Sequence, residues 1–208
     1  MFMSSSISII GLGGMGRALA VRAVAGGNAV EVIGRDAAKT NDLAAELGDG
    51  ATAGAFGNAP AGDIVILAVP YASAVPVVAR YGDALAGKVI IDITNPMNAD
   101  ATGLVTPDGT SGAQEIAKAA PSSAPVVKAF NTVFGHVMAP GLDVLLAGDD
   151  AEAKASVSAF IESLGLRPLD AGGLAMAHWL EGTGLLMISL ANHGAGTFNF
   201  SLGINIVS

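Results

Sequence analysis

Three glycines near the N-terminus have the spacing of a turn that could bind a phosphate group. Gly11, Gly13 and Gly16 form the pattern G-x-G-x-x-G between an apolar run at 7–10 and a helix-forming stretch. Gly11 allows a tight turn, Gly13 lets the backbone approach a pyrophosphate, and Gly16 lets the helix pack closely on the strand. Because the N–H groups at the start of a helix also attract anions, the segment predicts a dinucleotide-binding turn.

The end of the second apolar run indicates which dinucleotide would bind. Sites for NAD usually carry Asp or Glu there, because a carboxylate accepts a hydrogen bond from the ribose 2′-hydroxyl. This chain has Gly34, followed by Arg35 and then Lys39, and these cations could bind the 2′-phosphate of NADP(H). Glu31 lies inside the predicted strand and is rejected as the ribose ligand. The alternative is that Arg35 and Lys39 are solvated charges beside neighbouring aspartates.

Apolar runs alternate with helical stretches along most of the chain. Strands are predicted at 7–10, 29–33, 51–56, 63–69, 88–93, 125–130, 143–146 and 166–169, and helices at 15–25, 37–47, 72–81, 111–119, 151–164 and 174–190. This order predicts an α/β fold, a Rossmann-type doubly wound and mostly parallel sheet with a small C-terminal helical extension. The ligand of such a sheet lies beyond the carboxyl ends of its strands. The glycine turn should therefore share one rim with the segments at 34–35, 69–71 and 94–96.

Composition argues against several other classes of protein. With 51% hydrophobic and 13% charged residues, the chain is expected to be globular with one sizeable core. A net charge of −8 argues against a nucleic-acid partner, and the absence of cysteine excludes disulfides and thiolate metal sites. His136, His178 and His193 have no metal-ligand spacing, so no metal is predicted. No apolar stretch reaches about 18 residues, so no membrane span is predicted and the expected location is the cytoplasm.

The C-terminal part differs in kind from the rest of the chain. We divide the sequence into a nucleotide-binding domain, 1–172, and a C-terminal helical and apolar segment, 173–208. No Asp, Glu, Lys or Arg occurs from 182 to 208. Such an uncharged apolar end is expected to cover the nucleotide site or to contact a second subunit, and the expected assembly is a homodimer.

Six segments, in order, carry a resemblance to a known family. GLGGMG, GRDAAK, LAVPY, DITNP, VVKAFNT and LRPLDAGGL extend over most of the chain. Together they resemble the coenzyme F420-dependent NADP reductases and related small NADP-binding oxidoreductases. A similar nucleotide module occurs in pyrroline-5-carboxylate reductases and in STEAP-type metalloreductases. The resemblance implies an NADPH-binding Rossmann domain that transfers a hydride, often within a dimer.

Carried over by position, the resemblance implies contacts with each part of NADP(H). The pyrophosphate would contact Gly11, Leu12, Gly13, Gly14 and Met15, and the 2′-phosphate would contact Gly34, Arg35 and Lys39. The nucleoside would lie against Val69 and Pro70, and the nicotinamide would be bordered by Asn95 and Ala129. Asn131 and Val133 are assigned to the substrate pocket. No catalytic residue is assigned, because hydride transfer depends mainly on aligning two flat rings and keeping water out.

The acceptor side departs from the family pattern. F420 reductases that resemble this chain have a Thr in the glycine loop, a His after the sixth strand and a Ser before the last helix. The matching positions here are Leu12, Asn131, and Ala175 or Ala177. The second substrate is therefore expected to be F420, a flavin, or a small carbonyl or imine compound. A non-catalytic NADP(H)-binding sensor is the alternative function.

Overall fold

Eight strands form one sheet in the order β3-β2-β1-β4-β5-β6-β7-β8 in a computed structural model that describes residues 5–207. The strands are β1 Ser6–Ile10, β2 Ala29–Gly34, β3 Ala51–Ala55, β4 Ile64–Leu67, β5 Val89–Asp92, β6 Val126–Ala129, β7 Asp143–Gly148 and β8 Arg167–Asp170. The first six are parallel, β7 is antiparallel to β6, and β8 is parallel to β7. The predicted Rossmann topology is confirmed, and its strand order reverses between β1 and β4.

Residues 5–207 form six helices, of which the first five lie between strands and the last follows β8. They are α1 Gly14–Ala25, α2 Ala37–Leu47, α3 Tyr71–Tyr81, α4 Gly112–Ala119, α5 Ala151–Ser163 and α6 Ala177–Asn192. Local sequence explains where several of them begin. Asp36 caps α2 through the N–H groups of Ala38 and Lys39, and Asp150 caps α5. Ser111 and Gln114 form a capping box at α4, in which each side chain bonds the other residue's backbone N–H.

Helices cover both faces of the sheet. Helices α1, α2 and α5 pack on one face, where Ile9 and Leu19 meet Phe160. Helices α3 and α4 and the start of α6 pack on the other, where Leu67 and Val78 belong to a second apolar cluster. Strand residues of both clusters are fully buried, which is why β4 and β5 read as continuous apolar runs. This two-sided core fixes the strand ends that form the rim.

Helix α6 is the most apolar part of the fold. Its inner face buries Leu180, Gly184 and Met187 against the domain, while Trp179 and Leu186 are exposed. Within residues 5–207, the segment Leu174–Asn192 is the one that is long and apolar enough to cross a membrane, and 39% of its most apolar window is buried in the fold. The sequence expectation of no span stays a prediction. The packing of the inner face is that of a helix within a domain.

Candidate functional site

Two cavities open along the rim at the carboxyl ends of the parallel strands. The first has a volume of about 760 Å³ and lies beyond β1, β2 and β4. The second has a volume of about 470 Å³ and lies beyond β4, β5 and β6, against α6. Four residues line both cavities: Gly13, Ala68, Val69 and Pro70. The cavities therefore meet beside the glycine turn, at the point where the strand order reverses.

The glycines of the turn are of two kinds. Gly11 has a φ of +111°, and a Cβ there would lie 2.1 Å from the carbonyl oxygen of Ala68. A Cβ on Gly16 would lie 2.1 Å from the carbonyl oxygen of Gly11, so both positions need glycine for the turn itself. A Cβ on Gly13 or Gly14 would meet no atom within 4 Å. These two glycines leave open space where the backbone can approach a ligand.

The N-terminus of α1 is free to receive an anion. Gly13 is its N-cap and provides no side-chain hydrogen bond, and the first turn holds no acidic residue. By contrast, Asp36, Ser111 and Asp150 satisfy N–H groups of the helices that they cap. The first N–H groups of α1 therefore remain available beside the glycine turn, as a bound pyrophosphate requires.

Three cationic side chains line the first cavity. Arg35 and Lys39 are exposed at the end of β2 and in the first turn of α2, where the sequence placed them. Arg80 reaches the same cavity from α3, with its guanidinium carbon 5.2 Å from the centre of the Phe56 ring. Lys39 Nζ lies 3.9 Å from Asp36 Oδ2 at the surface, which leaves the ammonium group largely in solvent. The sequence analysis missed Arg80, because only the packing of α3 brings it to the rim.

The packing around Gly34 leaves little room for a side chain. A Cβ at this position would lie 2.7 Å from Leu12 Cδ1 and 2.7 Å from Thr40 Oγ1. Leu12, one of the positions that depart from the family pattern, thus packs against Gly34. Glu31 is engaged elsewhere: its Oε2 accepts hydrogen bonds from Ser8 Oγ at 2.6 Å and from the Ala61 N–H at 2.8 Å. It is not free to bind a ribose.

Asn95 and Asn131 hold the ends of β5 and β6 together in the second cavity. Asn95 Nδ2 donates to the Asn131 carbonyl at 2.9 Å, and Asn131 Nδ2 donates to Asn95 Oδ1 at 2.9 Å and to the Leu180 carbonyl at 2.7 Å. Helix α6 approaches so closely that a Cβ on Gly184 would lie 2.6 Å from Asn95 Oδ1. The structure therefore brings Asn95, Asn131 and Val133 to one cavity that α6 borders.

Ala129 is not brought to either cavity, contrary to the expectation that it borders the nicotinamide. It is fully buried in the core on the face covered by α1 and α5. Strand β6 ends at Ala129, and the backbone then turns at Phe130, whose φ is +60°. Phe130 and Asn131 line the second cavity in place of Ala129. The turn, which the apolar pattern does not reveal, decides which residue faces the cavity.

Three charged side chains form a fully buried cluster behind the second cavity. Lys128 Nζ lies 2.7 Å from Asp92 Oδ2 and 2.8 Å from Glu181 Oε1, and it also donates to the Thr94 carbonyl at 2.5 Å. Glu181 Oε2 accepts a further hydrogen bond from the Gly112 N–H. Burial raises the pKa of Glu181 although Lys128 opposes this shift. The cluster ties β5, β6 and α6 together.

Tyr71 and His136 add polar groups to the lining of the second cavity. The Tyr71 hydroxyl donates to Glu115 Oε2 at 2.6 Å, and burial, together with this hydrogen bond and the charge of Glu115, raises the pKa of Tyr71 to about 12. His136 Nε2 lies 3.1 Å from the Phe198 carbonyl and 3.1 Å from Asn199 Oδ1. Among residues 5–207 no group of three His, Cys, Asp or Glu side chains could hold a metal.

The C-terminal tail packs next to the second cavity. The Phe134 ring, which lines that cavity, meets the rings of Phe198 and Phe200 edge to face, each at a centroid distance of 5.5 Å. Further along, the Ile204 N–H donates to Asp143 Oδ2 at 2.7 Å, and Arg167 donates to the Ile204 carbonyl at 2.7 Å. The tail therefore follows the edge of the sheet with only a few anchoring contacts.

Known proteins share these motifs and this fold. The family model for coenzyme F420-dependent NADP oxidoreductase matches residues 6–96, which contain the glycine turn and β1 to β5. The F420-dependent NADP reductase of Methanocaldococcus jannaschii is 30% identical over 141 residues, which cover 62% of this chain and 62% of the relative. The resemblance to the F420-dependent NADP reductase-like family of NADP-binding oxidoreductases, predicted from the six sequence segments, is confirmed.

Two further comparisons define how far the likeness to other proteins extends. Metalloreductase STEAP3 of Rattus norvegicus is 30% identical over 190 residues, which cover 88% of this chain but 37% of the relative. The chain thus spans less than two thirds of these two curated relatives. A crystal structure from Arthrobacter sp. FB24, provisionally assigned as an F420-dependent NADP reductase, has a TM-score of 0.86 at 26% identity. This likeness covers 98% of this chain and 100% of that chain.

Proposed function

We propose that this chain transfers a hydride between NADPH and a second electron carrier, either an F420-like deazaflavin or a flavin. The observation that carries the proposal is the meeting of two cavities at the glycine turn. One cavity is cationic and the other is bordered by Asn95, Asn131 and α6. The first suits a phosphorylated nucleoside, and the second is a separate space for the reacting ring and its partner.

The proposed cofactor position follows from the chemistry of each cavity. Arg35 and Lys39 bind the 2′-phosphate, with Arg80 close by over the Phe56 ring. The glycine turn and the free N–H groups of α1 hold the pyrophosphate. Val69 and Pro70, which line both cavities, lie along the nucleoside. NADPH, when bound, supplies the hydride, while the chain orients the nicotinamide ring beside Asn95 and limits access of water.

Gly13→Ala is expected to weaken the binding of both NADPH and NADH at least tenfold, or about 1.4 kcal/mol. The added methyl group would occupy the open space at the turn, where the pyrophosphate is placed, and would touch no protein atom. The Tm of the free protein should therefore be unchanged. Fluorescence titration and thermal melting measure the two effects.

Gly16→Ala is the comparison variant for this experiment. The same methyl group would collide with the carbonyl of Gly11, so it should lower the Tm as well as the affinity. If Gly13→Ala binds both nucleotides as well as the wild type does, the pyrophosphate does not lie at this turn.

A small carbonyl or imine compound is the second candidate acceptor. The polar side chains that line the second cavity favour it, because a small polar compound suits a lining that includes Tyr71, Asn95 and Asn131. The test is to mix the protein with NADPH and, separately, with F420, FMN, FAD and simple carbonyl compounds, and to follow NADPH absorbance. Oxidation with F420 or a flavin supports the proposal. Oxidation with carbonyl compounds alone favours the second candidate, and binding of NADPH without any oxidation favours a sensor.

The C-terminal segment has two roles in the proposal, one at the second cavity and one in a dimer. The tail beside Phe134 covers the second cavity, and the exposed face of α6, with Trp179, Leu186 and Leu190, contacts a second copy in a homodimer. The partners are then a small-molecule electron acceptor or donor and a second copy of the chain, in the cytoplasm.

A further inference from the structure

Two residues that line the second cavity each have a buried polar atom without a hydrogen-bond partner within the described chain. The atoms are Thr94 Oγ1 and Asn131 Oδ1. Thr94 is 4% exposed and Asn131 is 7% exposed, so bulk solvent does not satisfy them. Because an unpaired buried polar atom is costly, such atoms indicate that a ligand or an ordered water supplies the missing partner.

The orientation of the Asn131 amide is fixed by its other contacts. Both N–H groups of Nδ2 are used, one by Asn95 Oδ1 and one by the Leu180 carbonyl. Exchanging the nitrogen and oxygen of this amide would place an oxygen against two acceptors and lose both hydrogen bonds. Oδ1 is therefore the atom left without a partner, and it can only accept a hydrogen bond.

Thr94 is held just as firmly through its backbone. Its N–H donates to Asp92 Oδ1 at 2.8 Å, and its carbonyl accepts from Lys128 Nζ at 2.5 Å. The hydroxyl is the polar group of Thr94 left over, and a hydroxyl can donate as well as accept. The next residue, Asn95, is bonded to Asn131, so the two unpaired atoms lie at the ends of neighbouring strands.

We propose that Thr94 Oγ1 and Asn131 Oδ1 form a subsite for a planar amide group, and that its occupant is the carboxamide of the nicotinamide ring. The Thr94 hydroxyl donates to the carboxamide oxygen, and the carboxamide NH₂ donates to Asn131 Oδ1. The two contacts fix the rotation of the carboxamide and hence the face of the ring that meets the acceptor. This inference rests on the proposed function, because that function places the ring in the second cavity.

The same amide chemistry occurs in the pyrimidinedione ring of a flavin or deazaflavin, so the experiment must separate two sources. The variants are Thr94→Val, which keeps the shape and removes the hydroxyl, and Thr94→Ser, which keeps the hydroxyl. Each is titrated with NADP⁺ and with 2′-phospho-ADP-ribose, which lacks the nicotinamide. Thr94→Val should bind NADP⁺ about 3- to 10-fold more weakly than the wild type and bind the fragment equally well. Thr94→Ser should bind NADP⁺ with the affinity of the wild type.

The free Thr94→Val protein provides a second readout. Since the hydroxyl has no partner in the free chain, its loss should leave the Tm of the free protein unchanged or higher. The increase in Tm that NADP⁺ produces should nevertheless become smaller. A lower Tm for the free variant would indicate that the hydroxyl is already satisfied and would overturn the proposal.

Asn131 is better tested through the ligand, because its Nδ2 holds Asn95 and the Leu180 carbonyl. The 3-acetylpyridine analogue of NADP⁺ carries a methyl group in place of the carboxamide NH₂ but retains the oxygen. The wild type should bind this analogue about 3- to 10-fold more weakly than NADP⁺. Thr94→Val should weaken the analogue further, because the contact with the oxygen is separate.

The remaining outcomes each contradict the subsite. Equal losses for NADP⁺ and 2′-phospho-ADP-ribose would indicate a distorted cavity, and no loss for either would indicate an ordered water at the two atoms. Unchanged NADP⁺ affinity with weaker binding of FMN or F420 would assign the subsite to the acceptor instead. Failure of the wild type to bind NADP⁺ at all would refute the proposed function, which is a different result from these.

Discussion

Replacing Lys128 with methionine is expected to lower the free energy of unfolding by about 3–5 kcal/mol. Lys128 is fully buried, and its ammonium group is the cation between the carboxylates of Asp92 and Glu181. Without it, two like charges would remain buried next to each other, and the Thr94 carbonyl would lose its donor. Urea denaturation followed by circular dichroism measures the change.

Glu181→Gln is the matched control, because it removes one charge of the cluster and keeps the shape of the side chain. Burial raises the pKa of Glu181 above its ordinary value, so its charged form is disfavoured in the folded protein. This carboxyl therefore lowers stability as the pH rises from its ordinary pKa through its folded-state pKa. Glu181→Gln should remove that pH dependence and cost less than Lys128→Met at neutral pH. Equal losses in the two variants would contradict the central role of the lysine.

Arg35→Ala is expected to weaken NADPH binding by about 1–3 kcal/mol and to leave NADH binding nearly unchanged. The guanidinium group is exposed on the wall of the first cavity, and the 2′-phosphate distinguishes the two nucleotides. Arg17→Ala removes the same charge from α1, where Arg17 pairs with Glu46 at the surface, and should affect both nucleotides equally and weakly. Calorimetric titration of each variant with both nucleotides provides the comparison.

The outcome for NADH decides how the Arg35 result is interpreted. A loss shared equally between NADPH and NADH would indicate damage to the fold or to the common part of the site, and it would remove the evidence for a 2′-phosphate contact. Retained NADPH affinity would assign that contact to Lys39 and Arg80, which line the same cavity.

The fold could be predicted because local patterns and long-range packing agree in this chain. The apolar runs that form β4 and β5 are buried on both faces, and α2 and α5 begin at the predicted residues, where Asp36 and Asp150 cap them. The predicted bounds of strands and helices differ from the observed ones by at most a few residues, because Gly and Pro end most segments. The order of the elements then determined the sheet topology.

The candidate site could be predicted only where its residues follow strands directly. The glycine turn, Gly34 and Arg35 are of this kind, whereas Arg80 arrives through the packing of a whole helix. The burial of Ala129 away from both cavities could not be predicted, because a single residue with positive φ, Phe130, changes which side chain faces the cavity. Such features depend on the three-dimensional path of the chain and leave no periodic signal.

The buried cluster of Asp92, Lys128 and Glu181 could not be predicted from the sequence either. Lys128 interrupts the apolar segment VVKAF, and Glu181 is the last charged residue before a long uncharged stretch. Their separation of more than fifty positions gives no spacing that would pair them, yet their atoms lie 2.8 Å apart. Leu12, one of the positions that depart from the family pattern, packs against Gly34 and so narrows the space for a side chain there.

The measurement that tests the central claim most directly is calorimetric titration of the unmodified protein with NADPH and with NADH. The cationic first cavity, together with Gly34 in place of a carboxylate at the end of β2, should make NADPH binding at least about tenfold tighter. Equal affinities for the two nucleotides, or tighter binding of NADH, would contradict the account.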